Sequence, residues 1–407
     1  LSKISKGANM NPTNPYVMKT PIATPNPKIV VIGLGGGGSN AINRMIESGM
    51  QGVTFIAANT DAQALAANKS PNKIQLGPQA TRGLGAGGQP EIGRLAADES
   101  RADLAHLLQG AELVFLTAGM GGGTGTGSIP IAAQIAKESG ALTIAIVTKP
   151  FSFELGKRQR NTEEGLAKLR KYCDTLIVIP NDKLIEVAPR DLPLTMAFTL
   201  ADDVLRQGVQ GVSELITETG LINVDFSHIK NIMSKGGGAL MAIGTGTGPN
   251  KVQQAIEKAL HHPLLDDVDL YSAKGMIANF TGSYNMSFKE VTDALKTLHD
   301  ATGGHAEIIP GIITDPRMED RVQLILIVTG IGTSADNLET VDTQYALHQD
   351  ASRASEILQP YSAPASKPAQ ATGPVEQPYE PDKSDYSHQQ NQDEYLSIPA
   401  FLRRKKK

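Results

Sequence analysis

The sequence predicts an α/β fold: a mostly parallel sheet with helices on both faces, then one long helix, then a second and smaller α/β domain. Three observations carry this. Short apolar runs at 29–32, 113–118, 142–147 and 175–179 read as strands buried on both faces. They alternate with helical segments at 41–47, at 90–109 and up to about Tyr172, the order that builds parallel sheets. Between about Leu194 and Glu218, residues Leu200, Val204, Val209, Val212, Leu215 and Ile216 recur at helical spacing. A helix of that length can act as a spine between two domains.

The densest signal is Gly-Met-Gly-Gly-Gly-Thr-Gly-Thr-Gly-Ser at 119–128. It joins strand 113–118 to a helix that starts near Ile129, with Pro130 in its first turn. Amides in such a strand-to-helix turn lack side-chain cover and face the positive end of a helix, which suits phosphate. Thr124 and Thr126 add hydroxyl donors. Two more glycine-rich loops, 33–40 and 81–88, lie on neighbouring β-α connections, so a chain of several phosphates is expected at the carboxyl ends of the strands. Taken alone, 33–40 passes for a dinucleotide fingerprint with Asp61 as its ribose acid. The second cradle at 119–128 speaks against that, and no Gly-Lys-Ser/Thr follows any loop to make a P-loop.

Composition narrows the rest. The 407 residues are 40% hydrophobic and 20% charged, with a formal net charge of −4, so no general nucleic-acid footprint is present. The single Cys173 excludes a disulfide framework, and no Cys/His cluster has zinc spacing. No apolar run approaches ~18 residues and the N-terminus lacks a signal-peptide core, so a cytoplasmic protein is expected. The second domain is expected to hold strands at 239–243, 276–280, 306–313 and 321–328 with helices 251–260 and 287–299. Its Gly244-Thr245-Gly246-Thr247-Gly248 is expected to be a plain turn, because Pro249-Asn250 interrupt the next helix. Residues 1–27 read as a disordered arm and 333–392 as a flexible linker. An apolar island at 395–402 follows, then five cations, Arg403 to Lys407, which favour an anionic surface. A hydrophobic island with no domain to bury it awaits a partner groove.

Taken together, Gly121–Ser128, the segment Asn59-Thr60-Asp61-Ala62-Gln63-Ala64-Leu65, the segment Pro180-Asn181-Asp182-Lys183-Leu184, and Ile398 to Arg403 resemble the tubulin/FtsZ family of GTPases. The resemblance spans about 28–332 plus the tail. It implies a tubulin-like fold with a GTP-binding domain at 28–193, a central helix at 194–219, a GTPase-activating domain at 220–332 and a partner-binding tail at 393–407. It further implies a filament-forming GTPase of the bacterial division ring at mid-cell, with no nucleic acid involved. Subunits would join head to tail, and residues 395–403 would bind membrane-tethering and regulatory division proteins. Membrane contact would be indirect, aided by Arg403 to Lys407.

Carried over residue by residue, the resemblance places Gly36, Gly37, Gly38, Ser39 and Asn40, together with Gly122, Gly123, Thr124 and Gly125, around the phosphates of GTP or GDP. Gly87 and Gly88 would approach the γ-phosphate, and Glu154 and Arg158 the ribose and phosphate region. Phe198 would stack on the base, with Asn40, Asn181 and Asp202 at its polar edge. A carboxylate at Asp202 suits guanine, which offers paired N–H donors where adenine does not. Mg²⁺ is expected on the phosphates, with no dedicated protein metal site. Asn223 and Asp225 match the catalytic positions that act on the next subunit's nucleotide. His228 stands where the family usually has a second aspartate, which leaves open a nucleotide-binding structural polymer with weak or absent hydrolysis.

Overall fold

A computed structural model describes residues 27–331, other than 155, 187, 190, 219–223, 236, 237, 266 and 267. The arm before residue 27, the linker, the tail and Asn223 lie outside the described residues. In the first half, β1 (Ile29–Leu34), α1 (Gly35–Glu47), β2 (Thr54–Asn59), α2 (Ala62–Ala66), β3 (Asn72–Gln75), α3 (Pro78–Thr81), α4 (Pro90–Glu99), α5 (Arg101–Leu108), β4 (Leu113–Gly119), α6 (Thr124–Glu138), β5 (Leu142–Lys149), α7 (Lys157–Leu169), β6 (Thr175–Pro180) and α8 (Asn181–Glu186) follow in order. The long helix α9 (Leu194–Thr217) comes next. It leads to α10 (Phe226–Met233), β7 (Gly238–Thr247), α11 (Lys251–Leu260), β8 (Gly275–Gly282), α12 (Phe288–Ala301), β9 (Glu307–Thr314) and β10 (Arg321–Ile331).

The strands form one sheet in the order β3-β2-β1-β4-β5-β6-β7-β10-β8-β9. β1 to β7 pair parallel with their neighbours, β10 runs antiparallel to both β7 and β8, and β8 and β9 are parallel. Among the described residues, β6 and β7 pair at Leu176↔Gly238 and Ile177↔Ala239, where the two halves of the sheet join. Side chains alternate across the sheet as the pleat requires. Ile29, Val31, Leu113 and Phe115 join α1, α9 and α10 on one face, while Val30, Ile32, Val114 and Leu116 pack against helices α4 to α7 on the other. Both faces are dry, which is why these strands read as unbroken apolar runs. The same core holds Val204, Leu205, Val209 and Val212 of α9 together with Ile277, Ile309, Ile325 and Ile327, so α9 packs on strands from both halves. A third cluster joins β7, β8 and β10 to α11 and α12. No helix among the described residues is long and apolar enough to cross a membrane.

Several expectations need correction. Both phosphate-loop helices begin inside their glycine runs, at Gly35 and Thr124, so Pro130 lies in the interior of α6 and not in its first turn. An interior proline removes a ladder hydrogen bond. The expected helix 90–109 is two helices broken at Ser100, whose hydroxyl accepts the Gly77 N–H at 3.0 Å. Residues 244–247 are the end of strand β7, not a turn. Gly244 and Gly246 are there for packing: a Cβ on either would sit 1.8 Å from the carbonyl oxygen of Ala255 or Lys251 in α11. Asp61 caps α2, accepting from the amides of Gln63 and Ala64, and so does not play the ribose acid of a dinucleotide site.

Candidate nucleotide site

The order β3-β2-β1-β4-β5-β6 puts the switch point of the parallel half between β1 and β4, where a ligand crevice is expected at the carboxyl ends. The helices leaving these two strands pack on opposite faces of the sheet, so their amino ends flank one crevice. The loops touch backbone to backbone. Gly35, at φ +70°, would place a Cβ 2.7 Å from the Gly125 amide nitrogen, and a Cβ on Gly38 would lie 2.4 Å from the Thr117 carbonyl oxygen. Such contacts exclude any side chain.

The glycines therefore sort into two kinds. Gly37, Gly38, Gly123 and Gly125 are confined by backbone within about 3 Å of a notional Cβ. A Cβ on Gly36, Gly122 or Gly88 would meet nothing within 4 Å, and one on Gly87 only the tip of Gln89 at 3.9 Å. The second kind lines open space, as a cradle for an anion must. Gly87 and Gly88 both sit at positive φ in the loop after α3. That loop is tied to the strand ends by the Asp61↔Leu84 bridge and by the Gly85 N–H donating to Thr60 O at 3.2 Å. Thr60 and Thr124 share a hydroxyl–hydroxyl hydrogen bond of 2.6 Å, so the Thr124 hydroxyl is already engaged. Thr126 faces α7, its methyl only 2.5 Å from where a Gly165 Cβ would stand. It does not line the cradle as expected.

Further along the same edge, Glu154 is nearly buried. One of its oxygens accepts the Phe151 amide at 2.9 Å and the other pairs with Arg158 at 2.5 Å. Glu154 thus holds the turn after β5 and presents Arg158. Phe151 stacks on Phe153 and meets Phe198 edge-on, with ring centroids 5.3 Å apart in both pairs. Phe198 and Asp202 lie one turn apart on α9, on one face. Asn181, at the end of β6, is buried with its Oδ1 unpartnered, as is the hydroxyl of Ser39 at the start of α1. Asn40 is half-buried on the next position of α1.

Arg44 belongs to this group although the sequence does not single it out. One turn after Asn40, its guanidinium donates to Thr199 Oγ1 at 3.0 Å and stands 3.8 Å from the Asp202 carboxylate. Burial pushes the Asp202 carboxyl up to about 7; Arg44 pulls against this and Asp203 adds a smaller push.

The candidate catalytic positions lie elsewhere. Asp225 is exposed at the N-cap of α10, yet its side chain makes no capping hydrogen bond. His228 is exposed within the first turn of the same helix. Met233, at the far end of α10, accepts a hydrogen bond from Thr175, the first residue of β6, whereas Asn181 follows the last. So α10 sits at the amino ends of the strands and the glycine loops at the carboxyl ends. From Asp202 to Thr217, α9 alone spans ~22 Å. One chain does not bring Asp225 to its own crevice.

The sequence matches the Tubulin/FtsZ family, GTPase domain, over residues 28–189, and the FtsZ family, C-terminal domain, over residues 237–332. The FtsZ of M. jannaschii, solved as an empty dimer, is 42% identical, covers 77% of this chain and 90% of its own, and superposes with a TM-score of 0.73. The chain belongs to the tubulin/FtsZ family. A second solved structure of M. jannaschii FtsZ, a variant, is 44% identical over 75% of this chain and 92% of that one, with a TM-score of 0.73. CetZ2 from Haloferax volcanii, solved as a GTPγS-bound protofilament, shares the fold at 19% identity and a TM-score of 0.65, covering 79% of this chain and 98% of that one.

Proposed function

We propose that the protein binds GTP in this crevice, assembles head to tail, and hydrolyses GTP only where a second copy supplies Asp225. One observation carries the proposal: the crevice and Asp225 occupy opposite ends of the parallel strands, so in this reading an intact site needs two subunits. A heterologous contact of this kind repeats into an open filament. Exposed apolar side chains suit such contacts: Leu84 is 86% and Phe153 52% exposed beside the crevice, and Tyr284 and Phe288 are 78% and 84% exposed before and at the start of α12. The M. jannaschii relative, 42% identical, was solved as a dimer, which supports self-association.

In this assignment the open glycines Gly36, Gly122, Gly87 and Gly88 receive the phosphates, Arg158 neutralises charge, and Phe198 covers the base. The Asp202 carboxylate and the Asn181 Oδ1 accept from the guanine edge. Mg²⁺ would be carried by the nucleotide's phosphates, whose charge it would offset. The domain limits at 28–193, 194–219 and 220–332, the division-ring role and the binding of tethering proteins by residues 395–403 belong to the same proposal. Phosphate release per subunit should rise from near zero as protein concentration passes the assembly threshold. A rate per subunit that is flat with concentration would place the chemistry within one chain.

Asp202 gives the site a pH dependence. Free, its carboxyl titrates at about 7; guanine donors favour the ionised form and lower that value. Binding strength is therefore complete above about pH 7 and falls below it, by up to ~tenfold per unit, until the pKa of the complex is reached. GTP affinity measured by calorimetry from pH 8 to 6 should drop, and ATP affinity should not follow it.

His228 supports a second function, a polymer with slow turnover, because it stands exposed beside Asp225 without a fixed negative charge. His228→Asp is expected to raise turnover per subunit and shorten filament lifetime. Turnover equal to the parent across pH 6 to 8 would remove His228 from the mechanism.

A further inference from the structure

Asn161, on the second turn of α7, reaches two glycine loops at once. Its side-chain amide donates to the Gly121 carbonyl at 3.1 Å and, over a longer 3.4 Å, to the Gly88 carbonyl. We infer that Asn161 is a positioning residue which holds the Gly87–Gly88 tip against the 119–125 loop and thereby sets the preference for GTP over GDP. This rests on the nucleotide assignment above.

The amide has two N–H hydrogens and uses them on two carbonyls that belong to different β-α connections. The two loops also meet on either side of Gly87 and Gly88: a Cβ on Gly123 would lie 2.9 Å from Ala86 Cβ and 2.8 Å from the Gln89 amide nitrogen. Between those contacts Gly87 and Gly88 sit at positive φ, and Gly88 has no neighbour within 4 Å of a notional Cβ. The helices behind the loops, by contrast, are locked. A Cβ on Gly93 of α4 would lie 2.3 Å from the Gly123 carbonyl oxygen, and one on Gly127 of α6 would lie 1.9 Å from that of Pro90. Helices packed this closely have no room to slide. Freedom therefore remains at Gly87 and Gly88, between the anchored positions 86 and 89, where Asn161 acts.

The third partner of the junction is α7 itself. Gly121, at φ +90°, would place a Cβ 2.9 Å from the Arg158 carbonyl oxygen, so the loop lies directly on the helix backbone. The Thr162 hydroxyl donates to that same carbonyl at 2.8 Å. Arg158, Asn161 and Thr162 thus share the face of α7 turned to the loops, at i, i+3 and i+4 spacing. Arg158 is also the side chain that Glu154 presents to the crevice. One helix therefore carries both a charge for the nucleotide and the tie between the loops. GDP rests on the cradle formed by 35–40 and 119–125. GTP adds a phosphate on the side of 81–88, so only GTP depends on where Gly88 is held.

Calorimetric titration of GTP and of GDP into the full chain, as parent and as Asn161→Ala, Asn161→Asp and Asn161→Gln, tests this. Alanine and aspartate are expected to weaken GTP by about tenfold and leave GDP within about twofold. Aspartate should be at least as severe, since its carboxylate faces two carbonyl oxygens with no donor. Glutamine, which keeps the amide, should restore part of the loss. Should alanine fail to fold, as judged by its thermal melt without nucleotide, the aspartate and glutamine pair still decides. Equal loss of GTP and GDP, or no loss of either, overturns the inference while parent binding stands. A parent that binds neither nucleotide overturns the site assignment itself.

Discussion

Replacing Asp225 by alanine is expected to lower GTP turnover by ~10²–10⁴, the range for a positioned acid or base, and to leave GTP binding intact. Asp225 is exposed, holds no capping bond and stands at the amino ends of the strands, away from every residue of the crevice. A binding defect therefore has no route to the bound nucleotide within one chain. The fold should also tolerate the change, because the backbone carbonyl of residue 225, and not its side chain, receives the His228 and Ile229 amides. Phosphate release, equilibrium GTP binding and sedimentation of polymer on the same preparation separate these effects. Turnover within about tenfold of the parent would assign the chemistry to another group.

Asp202→Ala is expected to weaken GTP by at least ~tenfold, because two guanine donors are left without acceptors in a desolvated place. ATP has no donors to lose there, so its weak binding should change little. Asp202→Asn adds a sharper arm. An amide presents one acceptor and one donor, which matches the adenine edge better than the guanine edge, so the preference should narrow from both sides. Equal affinities of the parent for GTP and ATP would remove Asp202 from base recognition.

The parts of the fold legible in the sequence are those where one physical demand dominates. β1, β4, β5 and β6 are dry on both faces and spell unbroken apolar runs. The helix expected at 194–218 is found at Leu194–Thr217 because its apolar stripe is continuous along the core. Glycines obscure the rest. Gly244 and Gly246 have no side chain to show a strand's alternation, and the carbonyls of α11 that demand them become neighbours only in the fold. The edge strand β3 and the two-turn helix α10 are too short to carry a period.

The site divides in the same way. Its glycine-rich turns are plain in the sequence, yet nothing there separates Gly36 and Gly122, which line open space, from Gly38 and Gly125, which are packed against backbone. Arg44 escapes notice because Thr199, its hydrogen-bond partner, is 155 residues away. Asn161 escapes for the same reason, lying 73 and 40 residues from the two carbonyls it bridges.

If each hydrolytic site is shared between two copies, mixing two inactive variants should restore activity. Asp225→Ala keeps the crevice and lacks the acid. Asp202→Ala keeps the acid and, at low GTP concentration, leaves its crevice empty. In a random equimolar copolymer about one junction in four joins an intact crevice to an intact acid. Phosphate release in the mixture should therefore recover to roughly a quarter of the parent rate when neither variant alone is active. A mixture no faster than the sum of its two components, with both variants present in the polymer, would contradict the shared site.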